Sequence, residues 1–582
     1  MNSIIAEIES ILKQAFAESG YDESYGKVTI SNRPDLCEYQ CNGALAAAKR
    51  YHKAPFMIAD DVLAKIQDNA AFSKVEVVKP GFINMNLSGV YLAEYLIRMA
   101  EADRFGAADL GQGKTIVIDY GGPNVAKPLH IGHLRPAIIG ESIKRIKRFC
   151  GYNMIGDVHL GDWGYQMGLI LESLKEQFPN LFEAETLEEL GIDVSLLEKV
   201  YPEASARAKK EPEFAEKAHM ATFKLQKKEE PYYSVWKKII EISVRDLTGN
   251  YKKLDVSFEL WNGESDAQDY IPPMVEDLKA KGLAYLSDGA LVVDVKEETD
   301  KKEIPPCLIV KSDGAYLYAT TDLATLVQRE QDYHPEQVIY VVDKRQEMHF
   351  TQVFRTAKKA GIVPDSTQLT FVGFGTMNGK DGKPFKTRDG GVMRLEKLIG
   401  DTTNSIYERL TGVEFPEEEK RDIASKVALA AIKYGDLSNQ ASKDYIFDID
   451  RFCEFEGNTG PYILYTMVRI KSILRKCGLA DRVEEHGFKM NAAASDSEKA
   501  LQLELTAFHD MMVQACQENA PHKVCQYLYE VSNAFNSFYH HNNILKEEDE
   551  QKKQGYLALI ILTYRILKQG IELLGFDCPE RM

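Results

Sequence analysis

Ile116-Val117-Ile118-Asp119-Tyr120-Gly121-Gly122-Pro123-Asn124-Val125-Ala126-Lys127-Pro128-Leu129-His130-Ile131-Gly132-His133 joins a short apolar run to a helical pattern, and its reading decides the fold. Ile116 to Tyr120 reads as a strand. Ile138, Ile139, Ile143, Ile146 and Phe149 recur at three- and four-residue spacings, so the segment after His133 reads as an amphipathic helix. A Gly/Pro turn between the two places its polar groups at a helix N-terminus, where unpaired N–H groups and the helix dipole both favour phosphate. Gly132, lacking a side chain, lets the two imidazoles approach a triphosphate closely.

At 582 residues the chain is too long for one hydrophobic core, and its length implies roughly three to five domains. Hydrophobic residues at 44% and charged residues at 27% belong to an ordinary globular composition. The net charge of −17 does not exclude a nucleic-acid partner, because local basic patches do the binding while an acidic remainder discourages non-specific adhesion. Nine cysteines are scattered without any CxxC pair, so neither a zinc site nor a disulfide framework is expected. The N-terminus lacks the marks of a signal or transit peptide, and the apolar stretch at 556–563 is too short to span a bilayer. A cytoplasmic protein without membrane contact is the expectation.

Residues 1–110 read as a mixed α/β domain, with strand-like Val75 to Val78 before Pro80-Gly81-Phe82-Ile83-Asn84. Gly111-Gln112-Gly113-Lys114-Thr115 nearly matches a P-loop, but Ala108 replaces its first glycine and a strand rather than a helix follows. Residues 111–400 alternate strands and helices, as a doubly wound parallel sheet requires, with a helical insertion at about 180–300 between its halves. A connecting helical region (401–455) leads to an all-helical domain (456–582), whose last helix Gly575 ends.

Four more stretches carry chemistry. His159-Leu160-Gly161-Asp162-Trp163-Gly164 is a glycine-rich turn around a tryptophan. In Lys311-Ser312-Asp313-Gly314-Ala315-Tyr316-Leu317-Tyr318-Ala319-Thr320-Thr321-Asp322, a hairpin turn precedes a strand that passes into a helix. Tyr340-Val341-Val342-Asp343-Lys344-Arg345-Gln346-Glu347-Met348-His349 ends an apolar strand in a polar turn, at the edge where doubly wound folds bind ligands. The loop Asn378 to Gly391 contains Lys380, Lys383, Lys386 and Arg388 among glycines and suits a triphosphate.

His130-Ile131-Gly132-His133 matches the HIGH signature of class I aminoacyl-tRNA synthetases. The five stretches in this order, with Ala431-Ile432-Lys433-Tyr434-Gly435-Asp436-Leu437, Phe455 to Tyr462 and the closing Pro579-Glu580-Arg581-Met582, resemble the arginyl-tRNA synthetase family over nearly the whole chain. The resemblance is weakest at 170–300. It implies a Rossmann-type catalytic domain, an N-terminal α/β domain contacting the tRNA elbow and a C-terminal helical bundle binding the anticodon. It also implies a monomer that takes ATP with Mg²⁺, L-arginine and tRNA(Arg).

The resemblance further implies roles. His130, His133 and Lys386 would be catalytic, and Lys127, Gly132, His349, Lys383 and Arg388 would join them in binding ATP. Lys383-Pro384-Phe385-Lys386-Thr387-Arg388 is a loose counterpart of the family's KMSKS loop. Asp322 and Tyr318 would receive the guanidinium, for which a carboxylate is a bidentate, charge-assisted partner. Asp119, Asn124 and Gln346 would hold the amine and carboxylate of arginine. Phe82, Asn84, Tyr462, Arg469 and Arg475 would contact tRNA. Shorter HIGH-bearing nucleotidylyltransferases have no need of the flanking domains. Non-catalytic paralogues usually lose the histidines or the cationic loop, and the cysteinyl enzymes need zinc-binding cysteines.

Overall fold

The computed structural model describes residues 1–383, 393–410, 414–479 and 489–582. The N-terminal unit folds strands β1 (Val28–Ile30), β2 (Tyr39–Cys41), β3 (Phe72–Val78) and β4 (Phe82–Leu87) into an antiparallel sheet of order β1-β2-β4-β3. Helices Ile4–Glu18 and Pro55–Ile66 bury Ile8, Leu12, Phe16, Ile58 and Val62 in its core.

The central unit contains β5 (Thr115–Asp119) and β6 (Asn153–Asp157), a small antiparallel sheet of β7 (Ala284–Ser287), β8 (Ala290–Val293) and β9 (Cys307–Val310), then β10 (Gln337–Asp343) and β11 (Gln368–Phe374). The last two join the first two in a parallel sheet of order β11-β10-β5-β6. The chain reverses its direction of travel across the sheet between β5 and β10, and the open crevice of such folds lies beyond the C-terminal strand ends at that point.

The segment expected as a helical insertion carries the helices Val194–Ala208, Pro212–Gln226, Tyr232–Lys253 and Ile271–Ala280. It ends, however, in the β7–β8 hairpin, so it is not all helical. After the turn at Asp313-Gly314 the chain makes a single bridge, Val310 to Tyr316, and enters the helix Tyr318–Tyr333 without a full returning strand.

The helix Leu134–Phe149 departs most from its one-sided apolar pattern. Besides its isoleucines it buries Arg135, Glu141, Ser142, Lys144 and Lys147. The reason is its position between the sheet and the C-terminal bundle: Ser142 Oγ donates to the Leu573 carbonyl at 2.9 Å, and Lys147 Nζ donates to that of Cys516 at 3.1 Å. Gly140 is required here, because a Cβ would fall 2.2 Å from the Tyr120 ring. Among the described residues the C-terminal unit is built from helices, the first Gly460–Lys476 and the last Glu550–Leu574, which Gly575 caps in the left-handed region (φ 78°) as its sequence predicts.

Candidate active site

Beyond β5 the chain crosses to the segment after β6, where Gly122 N–H donates to the Val158 carbonyl and Val125 N–H to that of Gly161, both at 3.1 Å. Gly121 sits at φ 91°, and a Cβ there would lie 3.0 Å from the buried Tyr251 hydroxyl, so both conformation and space demand glycine. The turn delivers His130 to the N-terminus of a helical turn, Ile131–His133, that runs into Leu134–Phe149. His130 Nδ1 accepts from Gly132 N–H, and His133 Nδ1 accepts from His130 N–H, each at 3.1 Å.

These two bonds settle the chemistry of the pair. An imidazole whose Nδ1 accepts a hydrogen bond carries its proton on Nε2 when neutral. Burial pushes both imidazoles below their ordinary range, with Lys127 adding to the effect at His130, and His133 falls to about 3. The rings lie 3.9 Å apart. Two neutral imidazoles thus present Nε2–H donors side by side. A Cβ on Gly132 would lie 2.8 Å from His130 Cε1, so the glycine makes room for the His130 ring itself, whereas the sequence had suggested room for a ligand. Lys127 is half-buried, with Nζ 4.0 Å from the centre of the Tyr201 ring.

The guanidinium-binding candidates begin the helix after β9. Tyr318 is 75% exposed and Asp322 lies one turn further on. His349 belongs with Asp322 rather than with the histidine pair: its Nε2 is 2.5 Å from Asp322 Oδ2. Glu264, which the sequence reading left out, joins Asp322 and the Asp162 of the glycine-rich turn in one acidic neighbourhood. The Asp162 carboxylate accepts from Ser265 N–H (3.0 Å) and Ser265 Oγ–H (2.6 Å), fixing the turn that carries Glu264. Burial pushes Asp162 up to about 6. Burial, with repulsion from Asp162 and Asp322, pushes Glu264 up to about 7. A cation placed among such carboxylates would relieve their repulsion. The stretch from Val256 to Gly263 that leads to Glu264 runs beside the end of β6 and the segment after it through bridges Asp157–Leu260 and Leu160–Gly263.

Asp119 is not free at the end of β5. Arg329 Nη2 donates to Asp119 Oδ2 at 2.6 Å and to Asp157 Oδ2 at 2.7 Å, so the Asp119 carboxylate is already paired by a guanidinium of the chain itself. Asp119, Asp157 and His159 offer ligand atoms within 4.8 Å of one another, but that buried guanidinium already sits on both carboxylates, so the group does not fit a divalent ion. Asn124 and Gln346 are exposed, Asn124 over the Gly161 backbone and Gln346 just before the helix Glu347–Ala360.

Lys386 and Arg388 lie outside the described residues. The described flanks of their segment are both anchored. Lys380 pairs with Asp448 at 3.1 Å, and Gly379 N–H donates to the carbonyl of exposed Lys383 at 2.8 Å. On the other side Ile131 N–H donates to the Met393 carbonyl and Leu395 N–H to that of Leu129, both at 2.9 Å, which ties Met393–Leu395 to the histidine turn.

In the C-terminal unit, Tyr462 and Arg469 meet in a cavity of about 600 Å³ with Tyr465, Asn536, His540 and Met582 on its wall. Arg469 lies 4.8 Å from the Tyr465 ring centre and donates to Asn536 Oδ1 at 2.6 Å. Arg475 is not with them and lies against Glu580 of the C-terminal tail. In the N-terminal sheet Phe82 is half-buried. Asn84 is buried and accepts from Gln40 Nε2 at 2.9 Å, so its side-chain oxygen is engaged within the sheet.

Comparison with known proteins follows the same three units. The family profile for the catalytic domain of class I (R) tRNA synthetases matches residues 98–449, that for the arginyl tRNA synthetase N terminal domain 2–87, and that for the DALR anticodon binding domain 463–582. The chain is 54% identical to the arginine–tRNA ligase of Agathobacter rectalis and 50% identical to that of Alkaliphilus oremlandii, over the whole of both chains in each case. Its fold superposes on the arginyl-tRNA synthetase of Plasmodium falciparum with a TM-score of 0.82 at 27% identity, again over both full chains. It superposes on the Thermus thermophilus enzyme with a TM-score of 0.79 at 22% identity and equal coverage.

Proposed function

The chain belongs to the arginyl-tRNA synthetase family of class I, and from that premise we propose how its residues share the work of an arginine–tRNA ligase. The enzyme joins the arginine carboxylate to the α-phosphorus of ATP, which enters as substrate with its Mg²⁺, and pyrophosphate departs. A hydroxyl of the terminal tRNA ribose then attacks the activated carbonyl and AMP departs. Positioning and electrostatic stabilisation suffice for both steps.

The observation that carries this reading is that one sheet bears both a carboxylate cluster and a pair of neutral imidazoles. Asp322 and Glu264 receive the guanidinium, Tyr318 flanks it, and His349 holds Asp322 in place. A planar five-donor cation pairs with two carboxylates in a way that the other amino acids cannot copy. The Nε2–H groups of His130 and His133 donate to ATP phosphate oxygens as charge builds there, and Lys127, Lys383, Lys386 and Arg388 neutralise the departing pyrophosphate. Gln346 and Asn124 hold the arginine backbone groups, and Asp119 acts on the amine through its Arg329-paired carboxylate.

Three domain roles go with this: residues 1–110 on the tRNA elbow, 111–400 in catalysis, and 456–582 on the anticodon arm, joined by 401–455. The cavity around Tyr465 and Arg469 takes an unstacked base. No described helix is long and apolar enough to cross a membrane, and we place the enzyme in the cytoplasm as a monomer. ATP–pyrophosphate exchange with each of the twenty amino acids, with and without total tRNA, tests the reading. Exchange with arginine alone, dependent on tRNA, is expected; exchange with another amino acid would remove the guanidinium assignment.

A further inference from the structure

We propose that Arg135 is a positioning residue for the first step: it fixes the root of the cationic segment to the helix that begins at the paired histidines. This rests on the arginine–tRNA ligase reading above. Arg135 follows His133 by two residues and is 2% exposed. Its guanidinium gathers three separate stretches of chain. Nη1 donates to the Gly375 carbonyl at 2.6 Å and to the Lys443 carbonyl at 3.2 Å, while Nε lies 3.0 Å from Asp436 Oδ2. The same Asp436 oxygen accepts the Tyr445 hydroxyl at 2.7 Å, and the guanidinium carbon lies 5.0 Å from the centre of that tyrosine's ring.

Gly375 directly follows β11 and begins the path to the cations. From there Thr376 N–H donates to Asp444 Oδ1 at 2.7 Å, and Met377–Asn378 pairs in parallel with Tyr445–Ile446. Lys344, in the turn that carries Gln346, reaches the same Asp444 oxygen at 2.7 Å. The root of the segment, the turn after β10 and the stretch 443–446 therefore form one hydrogen-bonded unit. Through Arg135 the histidine-bearing helix grips that unit. The far flank is tied to the histidine turn by backbone bonds, so Arg135 is the side-chain half of a two-point attachment.

Stability alone does not account for this choice. A buried ion pair often contributes less than well-packed apolar residues of similar volume. A rigid fork that bonds two carbonyls and a carboxylate instead specifies direction, which lysine cannot reproduce. Direction is what this reaction needs, because displacing a reacting group by about 1 Å can cost on the order of a hundredfold in rate.

The test uses the full-length enzyme with Arg135→Lys and Tyr445→Phe, the second removing only the hydroxyl on Asp436. ATP–pyrophosphate exchange with tRNA, equilibrium dialysis of labelled arginine and thermal melting are compared with wild type. Arg135→Lys is expected to raise KM for ATP or lower kcat by at least about tenfold, with arginine binding within about twofold. Tyr445→Phe should move the same parameter a few-fold. If the folded Arg135→Lys enzyme keeps wild-type KM and kcat and merely melts earlier, the residue is structural and the proposal is overturned. Equal losses in arginine and ATP binding overturn it as well. Should Arg135→Lys fail to fold, unchanged kinetics in Tyr445→Phe decide against it. Wild-type enzyme that exchanges no pyrophosphate with arginine sinks the underlying activity reading instead, a result visible before any variant is measured.

Discussion

Glu264 is a residue of the proposed arginine pocket whose chemistry turns on pH. Its carboxyl is held up to about 7 by burial and by Asp162 and Asp322, yet it must be ionised to pair with a guanidinium. As pH falls below about 7 the free enzyme is increasingly protonated there, and arginine must displace that proton to bind. KM for arginine is therefore expected to climb toward about tenfold per pH unit below 7, while KM for ATP stays level. Steady-state kinetics between pH 6 and 8.5 measure both, and a flat arginine KM would remove Glu264 from the pocket. Folding shows the opposite sign. Between the ordinary carboxyl pKa of 4.5 and about 7 the folded chain holds a proton that the unfolded chain has lost. The Glu264 contribution to stability is thus present at low pH and lost as pH rises through that window. Glu264→Gln should raise the melting temperature by a few degrees at pH 8 and by less at pH 5, while weakening arginine binding. The same melt at both pH values would show that the carboxyl is not strained.

The histidine turn shows how far a short motif can be read. Strand β5, the turn and the following helix were legible because apolar period and Gly/Pro punctuation are local signals. The role of Gly132 was not, since the group occupying the space above it is the His130 ring, which folds back to accept the Gly132 N–H. Gly132→Ala should push that ring off its hydrogen bond and free the tautomer. We expect kcat for pyrophosphate exchange to fall by about 10²-fold, with arginine binding unchanged; a Cβ tolerated at full rate would show that the ring has room to move. Other misses share a cause. His349 and Asp322 are 27 residues apart in sequence, and Arg329 meets Asp119 across 210, so their pairing follows from the sheet's crossovers and not from any nearby residue. Glu264 lay where the family resemblance was weakest, in a turn with neither helical nor strand period. The buried charges of the helix Leu134–Phe149 read as its solvated face because a sequence does not announce that a second domain will cover it.

Assembly of the three units explains how so acidic a chain handles RNA. The domains are locked together: Lys433, fully buried, donates to the carbonyls of Leu254 and Gly575 at 2.6 Å each, and Lys499 Nζ donates to the Leu87 carbonyl at 3.0 Å, tying the N-terminal sheet to the C-terminal bundle. A net charge of −17 repels polyanions at large, so RNA affinity has to come from a few sites where cations and rings occur together. The proposed site, the cavity of Tyr462, Tyr465 and Arg469, combines these features, with apolar walls from Ile406 and Val427 and a guanidinium held over an aromatic face. Base–aromatic stacking of this type is worth about 1–3 kcal/mol. Tyr465→Ala and Arg469→Ala are therefore expected to raise KM for tRNA by about tenfold or more, with KM for arginine and ATP unchanged, because the catalytic sheet is built from other residues altogether. Arg469→Ala should also flatten the dependence of tRNA affinity on salt by about one unit of slope if the arginine meets a phosphate, and leave the slope intact if it only supports the stacked base. Filter binding of tRNA over a salt series separates these contributions. An unchanged KM for tRNA in both variants would mean that the anticodon arm docks elsewhere on the helical bundle.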